Sequence, residues 1–396
     1  MGEYNAVAFC AIGAEKAVSN ELKKLSPKEK PLYAIADSGF GKVRFRTSLD
    51  GLYRALFSLR TADRLLLEMG NFPALDFDSL FEGTAKIPWE VFIPGSMGLV
   101  VTKVRSSASL LKAETSIQAI VHKAAAQRLC SHYGVNRLPD NGKQAQLRVF
   151  LEKDKASVLL DISGEPLFKR GYRPAGGIAP LRESTAASII LLSGWKRKFP
   201  LYDPFCGSGT IIIEAALYAW DQAPGLGRQF TLSGLGIADS RIEKAVREEA
   251  MEKIDYSRPI CIAGSDADEK AIQLARVNLQ RAQALSGFGS PAKVTGIGLT
   301  CVPAKNASLA QMFPGGEANP GFIITNPPYG IRLGEVEEAE ARYAEMAGLC
   351  KTFPGWRLAI ICNHKGFESH FGKKADNCRS LKGGAVDTWL YQYDKL

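Results

Sequence analysis

The segment with the clearest chemical potential is Asn326-Pro327-Pro328-Tyr329. It follows residues 322 to 325, which are apolar or β-branched without alternation, a pattern typical of a strand covered on both faces of a parallel sheet. The two prolines fix φ and lack an N–H, so the turn is stiff. It offers two free acceptors, the Asn326 side-chain oxygen and the Pro327 carbonyl. We expect this loop at the carboxyl edge of a sheet, where open α/β sheets bind ligands.

Two converging acceptors suit an amino group attached to a nucleobase. Its nitrogen lone pair is delocalised into the ring, and hydrogen bonds from both N–H groups would localise it. Tyr329 would stack on the base, a contact worth about 1–3 kcal/mol. An ordinary surface turn is the alternative, since Asn-Pro and Pro-Pro are common turn dipeptides. The tetrapeptide resembles motif IV of amino-group methyltransferases that use S-adenosylmethionine, which implies the catalytic residues Asn326, Pro327, Pro328 and Tyr329.

A glycine loop precedes a predicted helix over residues 211 to 219. Gly207 and Gly209 would let the backbone approach a ligand closely, and Thr210 would begin the helix. The spacing excludes a P-loop, because no lysine follows the second glycine. The loop resembles motif I of methyltransferases, and a chance Gly-Ser-Gly turn is the alternative. The resemblance implies that Asp203 meets the cationic methionine end of the cofactor, and that the whole octet binds it: Asp203, Pro204, Phe205, Cys206, Gly207, Ser208, Gly209 and Thr210.

Further cofactor contacts are expected beyond this loop. Asp266, followed by Ala267, lies just after a predicted strand over residues 260 to 264, and a carboxylate at such a strand end can accept hydrogen bonds from both ribose hydroxyls. Asp268 is expected to cap the next helix. The resemblance also implies cofactor contacts at Glu183, Asn306 and Ala307. Related enzymes usually have Asp at the position of Asn306, where it binds the adenine amino group.

The candidates for RNA contact are basic. Lys169, Arg170 and Arg173 lie within five residues and are interleaved with Tyr172, a pattern suited to clamping a phosphate and stacking on a base. The alternative is a rigid linker whose arginines hold the domains together. Lys103 and Arg105, on a predicted strand over residues 99 to 105, are further candidates, although charges on one side of an element are often simply solvated.

Charge and composition agree with a nucleic-acid partner. The formal net charge is +9, and residues 1 to 170 hold 24 basic and 18 acidic residues, which is +6 for the shorter part of the chain. No apolar run approaches a membrane span, and the start shows no signal peptide, so we expect a cytoplasmic protein with no membrane partner. The eight cysteines form no C-x-x-C pair, so we expect neither disulfides nor a metal site.

Hydrophobic periodicity divides the chain into two kinds of structure. The first half reads as α+β, with a strand, helix, strand pair and helix over residues 1 to 64 that is typical of a ferredoxin-like unit. The second half alternates strand and helix and ends in a hairpin over residues 378 to 393. Within it we expect a weak strand over residues 293 to 297 and one long helix over residues 337 to 353.

Taken together, the chain resembles bacterial THUMP-domain RNA methyltransferases, which methylate guanine N2 in large-subunit ribosomal RNA. The resemblance implies an α/β protein with a Rossmann-like class I methyltransferase domain and S-adenosylmethionine as cofactor. It implies action on RNA, with ribosomal RNA favoured over transfer RNA. The sequence does not give the oligomeric state, and we favour a monomer. Some relatives carry a second methyltransferase domain, and we expect no such second activity here. The implied domains are residues 1–64 (ferredoxin-like), 65–165 (THUMP), 166–180 (linker) and 181–396 (methyltransferase).

The segments that carry this resemblance are spread along most of the chain. They are Leu59-Arg60-Thr61-Ala62-Asp63-Arg64, Asp161-Ile162-Ser163-Gly164, Lys169-Arg170-Gly171-Tyr172-Arg173, Leu181-Arg182-Glu183, the motif I octet, Ala223-Pro224-Gly225-Leu226 and Asn326-Pro327-Pro328-Tyr329-Gly330.

Three alternatives stay open at this point. A transfer RNA guanine-N2 methyltransferase would carry the same motifs. A DNA adenine-N6 methyltransferase would share motif IV, although basic α+β domains are not the usual target-recognition part of such enzymes. An inert RNA-binding assembly factor is disfavoured, because a relic would have no reason to keep the following residues: Asp203, Gly207, Gly209, Asp266 and Asn326.

Overall fold

The computed structural model describes residues 2–27, 31–173, 181–285, 295–314, 320–329, 335–383 and 386–396. Two seven-stranded sheets organise these residues, one in each half of the chain. None of the described helices is long and apolar enough to cross a membrane.

The first sheet contains the strands of the N-terminal half. Its order is β2-β3-β1-β4-β7-β6-β5, and only the β5–β6 pair is parallel. The elements are β1 (Tyr4–Cys10), α1 (Glu15–Leu25), β2 (Ala34–Gly39), β3 (Lys42–Thr47), α2 (Leu49–Ser58), β4 (Ala62–Pro73), α3 (Phe77–Ala85), α4 (Trp89–Phe92), β5 (Gly98–Ser107), α5 (Glu114–Tyr133), β6 (Gln144–Glu152) and β7 (Lys155–Asp161).

The helices of this half pack on one face of the sheet. Alternate residues along the strands, such as Ala6 and Ala8 on β1 and Leu65 and Leu67 on β4, join the main core with these helices. The intervening residues point to the opposite face, because side chains alternate along a strand. The predicted boundary between residues 64 and 65 falls inside β4, which pairs with β1 on one side and β7 on the other.

The second sheet has the order β10-β9-β8-β11-β12-β14-β13. The strands are parallel from β10 to β12. β14 is antiparallel to β12, and β13 is antiparallel to β14, as the class I methyltransferase resemblance implies. Its elements are α6 (Glu183–Leu192), β8 (Leu201–Asp203), α7 (Thr210–Ala219), α8 (Ser240–Glu252), β9 (Ile262–Asp266), α9 (Glu269–Ala284), β10 (Ile297–Cys301), α10 (Leu309–Met312), β11 (Phe322–Thr325), α11 (Glu335–Met346), α12 (Leu349–Thr352), β12 (Arg357–Cys362), α13 (Phe367–Phe371), β13 (Asn377–Ser380) and β14 (Trp389–Tyr393).

Local sequence explains several of these boundaries. The hydroxyl of Ser48 accepts from Gly51 N at the start of α2, and Asp268 caps α9 as predicted. Two predictions were wrong in detail. The strand expected over residues 293–297 is β10, which begins at Ile297, and residues 293 and 294 lie outside the described residues. The long helix breaks into α11 and α12, with Gly348 as the N-cap of the second piece.

The two halves meet along α2, α7 and α8. Arg60 Nη2 donates to the Gln222 carbonyl at 2.7 Å, and Gly225 N donates to the Phe57 carbonyl at 2.8 Å. A Cβ on Gly225 would lie 2.7 Å from the Leu56 carbonyl oxygen, so the backbones approach too closely for a side chain. The Ala-Pro-Gly-Leu segment of the sequence is therefore part of the joint between the halves.

Candidate active site

The glycine loop connects β8 to α7 at the carboxyl edge of the second sheet. Gly209 is the N-cap of α7 with φ of +84°, a conformation that L side chains rarely adopt, and its ideal Cβ would lie 3.0 Å from the Ala275 Cβ. Glycine is thus required both by backbone conformation and by packing. The N-terminus of α7 therefore faces the cavity, and helix N-termini commonly bind anionic groups.

Asp203 is buried at the end of β8. Its carboxylate accepts from the Thr325 hydroxyl at 2.6 Å and from Phe205 N at 3.1 Å. Burial raises the pKa of Asp203 to about 7, and the hydrogen bond from Thr325 opposes this rise. The two predicted motifs are therefore joined directly, because Thr325 immediately precedes Asn326.

Asp266 ends the neighbouring strand β9. Its carboxylate accepts from Gly207 N at 2.9 Å and from Asp268 N at 3.0 Å. This side chain thus fixes the conformation of the glycine loop across the strand edge. The predicted contact to ribose hydroxyls stays a prediction, since a carboxylate has about four lone-pair sites and can accept further hydrogen bonds.

The Asn-Pro-Pro-Tyr loop follows β11 at the same edge of the sheet. The prediction that the Asn326 side-chain oxygen is free was wrong, because the Tyr329 hydroxyl donates to it at 2.5 Å. The amide oxygen retains a second lone pair for a substrate amino group. The Pro328 carbonyl accepts from the Tyr343 hydroxyl at 3.2 Å, so α11 supports the loop from behind.

These loops surround one cavity of about 1630 Å³. This exceeds the roughly 300–1,000 Å³ of an ordinary ligand pocket, so a cofactor and a nucleobase can be accommodated together. Thirteen of the predicted site residues line it: Asp203, Pro204, Phe205, Cys206, Gly207, Ser208, Thr210, Asp266, Ala267, Asn326, Pro327, Pro328 and Tyr329.

The sequence reasoning missed one wall of this cavity. Residues of α11 line it, among them Glu338, Arg342 and Glu345. Lys305, which also lines the cavity, forms an ion pair with Glu345, with Nζ and Oε1 3.4 Å apart. No sequence motif marks this wall. It could have been predicted only from position, because α11 is the first helix after the Asn-Pro-Pro-Tyr loop.

Four predicted cofactor residues do not line the cavity. Gly209 is buried at the N-cap of α7. Glu183 is buried in a salt bridge with Arg173, with the closest atoms 2.5 Å apart. A single 3₁₀ turn over Ala304–Asn306 leaves Asn306 exposed and directs Ala307 into the core. The cavity wall in this region is formed instead by Pro303, Ala304 and Lys305.

The basic segment also differs from the prediction. Arg170 is 2% exposed and lies beside the fully buried Glu214, while the hydroxyl of the buried Tyr172 donates to Glu214 at 3.1 Å. The prediction that Arg170 and Tyr172 contact RNA is therefore wrong, because protein covers both side chains. Arg173 pairs with Glu183, and of the four side chains predicted here to contact RNA, Lys169 alone is exposed. Arg170 also donates to the backbone carbonyl of Arg60 in the N-terminal half, so the alternative interpretation, arginines that hold the halves together, fits this network.

The comparisons with family models cover both halves of the chain. Residues 170–392 match the UPF0020 family, described as RMKL-like, methyltransferase domain. Residues 5–66 match the RlmL ferredoxin-like domain. The ferredoxin-like and Rossmann-like parts of the predicted fold are thereby confirmed.

Two curated proteins align along nearly the whole chain. "Putative RNA methyltransferase YpsC" of Bacillus subtilis (strain 168) is 34% identical over 397 residues, which cover 99% of this chain and 96% of that protein. "Ribosomal RNA large subunit methyltransferase K/L" of Syntrophotalea carbinolica is 31% identical over 391 residues, which cover 96% of this chain. The alignment covers 52% of the latter protein, so the chain spans about half its length.

Solved structures show the same architecture. "SMU.472, a putative methyltransferase complexed with SAH" is 34% identical with a TM-score of 0.85, over 99% of this chain and 98% of that one. A "predicted N6-adenine-specific DNA methylase" from Listeria monocytogenes is also 34% identical, with a TM-score of 0.86 over 99% and 96% of the two chains.

The complex of SMU.472 holds S-adenosylhomocysteine, the product of methyl transfer from S-adenosylmethionine. S-adenosylmethionine as the cofactor of the family is thereby confirmed. The alignment over residues 170–392 includes the glycine loop, Asp266 and the Asn-Pro-Pro-Tyr loop, which together surround the cavity. The chain belongs to the UPF0020 family of RMKL-like methyltransferase domains.

Proposed function

We propose that this protein transfers a methyl group from S-adenosylmethionine to N2 of a guanine in RNA, with 23S ribosomal RNA as the substrate. One observation carries the proposal. The hydrogen bond from Thr325 to Asp203 joins the glycine loop to the Asn-Pro-Pro-Tyr loop at one cavity. Asp203, the glycines and Asp266 would hold the cofactor, and the other loop would hold the base.

The chain's own residues would act by orientation. The remaining lone pair of the Asn326 oxygen and the Pro327 carbonyl would accept from the two N–H groups of the amino nitrogen and direct its lone pair at the methyl group. A nitrogen–carbon bond then forms as the carbon–sulfur bond breaks, the sulfur recovers its electron pair, and the amino group loses a proton to water. Proximity and neutralisation of the cationic sulfur supply most of the acceleration.

The outer face of the N-terminal sheet supports an RNA substrate. The strand register places several cations on this face, where Arg148 lies opposite Lys103 and Phe9 lies opposite both Lys42 and Arg64. Phe9 and Phe150 stack there with ring centroids 5.5 Å apart. Cations around an aromatic pair suit phosphates and unstacked bases. We call this surface the basic sheet face and define it by six of its cations, which are Lys42, Arg44, Arg64, Lys103, Arg105 and Arg148.

Not all of these cations are equally available. Arg64 and Arg148 share the buried carboxylate of Asp161, at 2.6 and 3.6 Å. Lys103 is exposed, and the Arg105 side chain is 67% exposed, although it forms an ion pair with Glu114 at 3.6 Å. Although the side chain reaches solvent, partial desolvation by the surrounding protein, followed by the neighbouring Arg148 and Arg105, lowers the pKa of Lys103, so a phosphate would relieve repulsion at this point. Lys103 and Arg105 are therefore the best supported of the predicted RNA contacts, and we retain both.

The names of the relatives point the same way. YpsC is named an RNA methyltransferase, and the K/L protein is named for large-subunit ribosomal RNA. DNA adenine methylation is the second candidate, because the Listeria structure is described as a predicted DNA methylase. Transfer RNA as the substrate would leave the chemistry unchanged.

One experiment separates these substrates. Purified protein and labelled S-adenosylmethionine are incubated with ribosomal RNA, transfer RNA or duplex DNA from a strain that lacks the gene, and the modified nucleoside is identified by mass spectrometry. We expect N2-methylguanosine in 23S ribosomal RNA only, and we expect Asn326→Ala to abolish it. Methyladenine in DNA without any RNA product would overturn the proposal.

A further inference from the structure

Three side chains from separate elements converge behind the active-site cavity. Glu340 lies on α11, His364 lies between β12 and α13, and His370 lies on α13. One ligand atom from each lies within 4.8 Å of the others, and among the described residues this is the group of three that could hold a metal ion. We propose that Glu340, His364 and His370 bind a divalent transition-metal ion of the Zn²⁺ class. We call these residues the His-Glu cluster.

The distances fit shared coordination. Glu340 Oε1 lies 3.0 Å from His364 Nε2 and 3.4 Å from His370 Nε2. Metal–ligand bonds of about 2.0–2.2 Å place ligand atoms about 3.0 Å apart at octahedral angles and about 3.3 Å apart at tetrahedral angles. Small movements of these partly exposed side chains would therefore bring all three ligand atoms around one ion.

The donor set selects the class of ion. Two imidazole nitrogens with one carboxylate oxygen suit Zn²⁺ and similar transition metals, whereas Mg²⁺ and Ca²⁺ prefer oxygen ligands. Water would complete the coordination, because the three side chains are each about a quarter to a third exposed. The alternative arrangement is a metal-free ion pair between Glu340 and the imidazoles, and it is an outcome of the test below.

The ring of His364 is well positioned for this role. It packs at 5.9 Å against Tyr343 and at 5.2 Å against His370, measured between ring centroids. Its backbone carbonyl accepts from the Tyr391 hydroxyl at 3.1 Å. Its buried Nδ1 has no hydrogen-bond partner within the described parts of the chain. Nε2 faces Glu340 at 3.0 Å and is therefore the nitrogen that would bind the ion.

A bound ion would fix the wall of the active site. Glu340 lies on α11, whose residues Glu338, Arg342 and Glu345 line the cavity. The same helix carries Tyr343, which donates to the Pro328 carbonyl. An ion on the His-Glu cluster would therefore tie α11 to β12 and α13, and through Tyr343 it would hold the Asn-Pro-Pro-Tyr loop. The proposed role is structural, and the ion would not contact the reacting atoms.

The test measures metal binding directly and does not depend on the substrate. Full-length protein stripped with a chelator is titrated with Zn²⁺ against a chromogenic zinc indicator. We expect one high-affinity equivalent, and we expect His370→Asn and Glu340→Gln each to weaken it at least ~10-fold. His132→Asn is the matched control, because His132 is exposed on α5 in the other half of the chain, and its affinity should equal that of the parent protein.

Two further readouts keep the result decisive. Co²⁺ should give a visible spectrum without thiolate charge transfer, which excludes exposed cysteines such as Cys301 and Cys378 as ligands. Zn²⁺ should slow hydrogen exchange in α11 in the parent protein and in His132→Asn, but not in His370→Asn. The proposal is overturned if Zn²⁺ binds with unchanged affinity to both cluster variants, if no saturable equivalent exists, or if the cobalt spectrum shows sulfur ligation.

Discussion

The hydroxyl of Thr325 donates to the buried Asp203 carboxylate at 2.6 Å. This contact joins the last residue of β11 to the last residue of β8, two strands that lie side by side and carry the two active-site loops. The parallel strands set the loops side by side, and the hydrogen bond fixes their separation. Disturbing it should therefore affect stability and cofactor affinity together.

Thr325→Val should test this link, because it keeps the side-chain shape and removes the hydroxyl. A buried acceptor that loses its partner costs about 1–3 kcal/mol, so we expect a loss of that size in the free energy of unfolding, together with weaker cofactor binding. Denaturant unfolding and calorimetry measure the two effects. Thr325→Ser restores a hydroxyl and should recover most of both losses. Unchanged unfolding in the valine variant would contradict the assigned role.

The raised pKa of Asp203, about 7, predicts a pH dependence of cofactor binding. The cationic methionine end of the cofactor would favour the carboxylate and lower this pKa in the complex. The complex then binds fewer protons than the free protein, so affinity should rise with pH up to about 7 and level off above it. Calorimetry between pH 5.5 and 8 measures the dependence, with pH values chosen on either side of this pKa.

The control for this pH dependence is Asp203→Asn, which cannot titrate. It should bind the cofactor more weakly and with a flat profile over the same range. A slope that persists in this variant would assign the pH dependence to another group.

The contact between Tyr329 and Asn326 predicts different effects for two substitutions. Tyr329→Phe keeps the ring and removes the hydroxyl that positions Asn326, so kcat should fall at least ~10-fold with little change in KM. Tyr329→Ala also removes the stacking surface and should raise the KM for RNA, consistent with about 1–3 kcal/mol per stacked base. Steady-state kinetics with RNA distinguish them. Equal effects on KM would show that the ring does not stack on the substrate.

The basic sheet face should set the salt dependence of RNA binding. Lys103→Gln with Arg105→Gln should lower affinity and reduce the log–log salt slope by about 0.7–0.9 per lost phosphate contact. Filter binding at several salt concentrations measures this, while cofactor affinity should not change. Lys86→Gln is the control, since Lys86 is exposed at the end of α3, on the helical side of the sheet. An unchanged slope in the double variant would exclude this face as the RNA contact.

Arg170 and Lys169 are neighbours with opposite expected behaviour. Removing Arg170 leaves Glu214 buried without its cation, so Arg170→Gln should destabilise the protein by about 3–5 kcal/mol. Lys169→Gln removes an exposed pair with Glu165 and should change stability by less than about 1 kcal/mol. Denaturant unfolding compares the two. Similar values for both variants would argue against the buried network as the joint between the halves.

The sequence predicted the parts of the site that lie on consecutive residues. The Asn-Pro-Pro-Tyr loop and the glycine loop have fixed local chemistry, and both line the cavity as expected. The wall formed by α11 could not be predicted, because Glu338, Arg342 and Glu345 look like the solvated face of any amphipathic helix. The His-Glu cluster was missed for a related reason, since its ligands come from three elements and follow no short spacing.

The errors in the basic segment have a different physical cause. Arginine and tyrosine suit both RNA contact and buried ion-pair networks, and the sequence does not show where the matching carboxylate lies. Glu214 is 44 residues beyond Arg170 and sits on a helix that otherwise looks apolar. The fold of the second half was easier to predict, because buried parallel strands and intervening helices are recorded in local hydrophobic periodicity.

Strand β4 has a consequence for how the N-terminal half melts. It pairs with β1 of the ferredoxin-like region and, over the residues that follow, with β7. Neither region can lose this strand without exposing the edge of the other, so the seven strands should unfold in a single cooperative transition. A fragment that ends at residue 64 would contain three residues of β4 and should not fold on its own. The smallest folding unit of this half is the whole seven-stranded sheet with its helices.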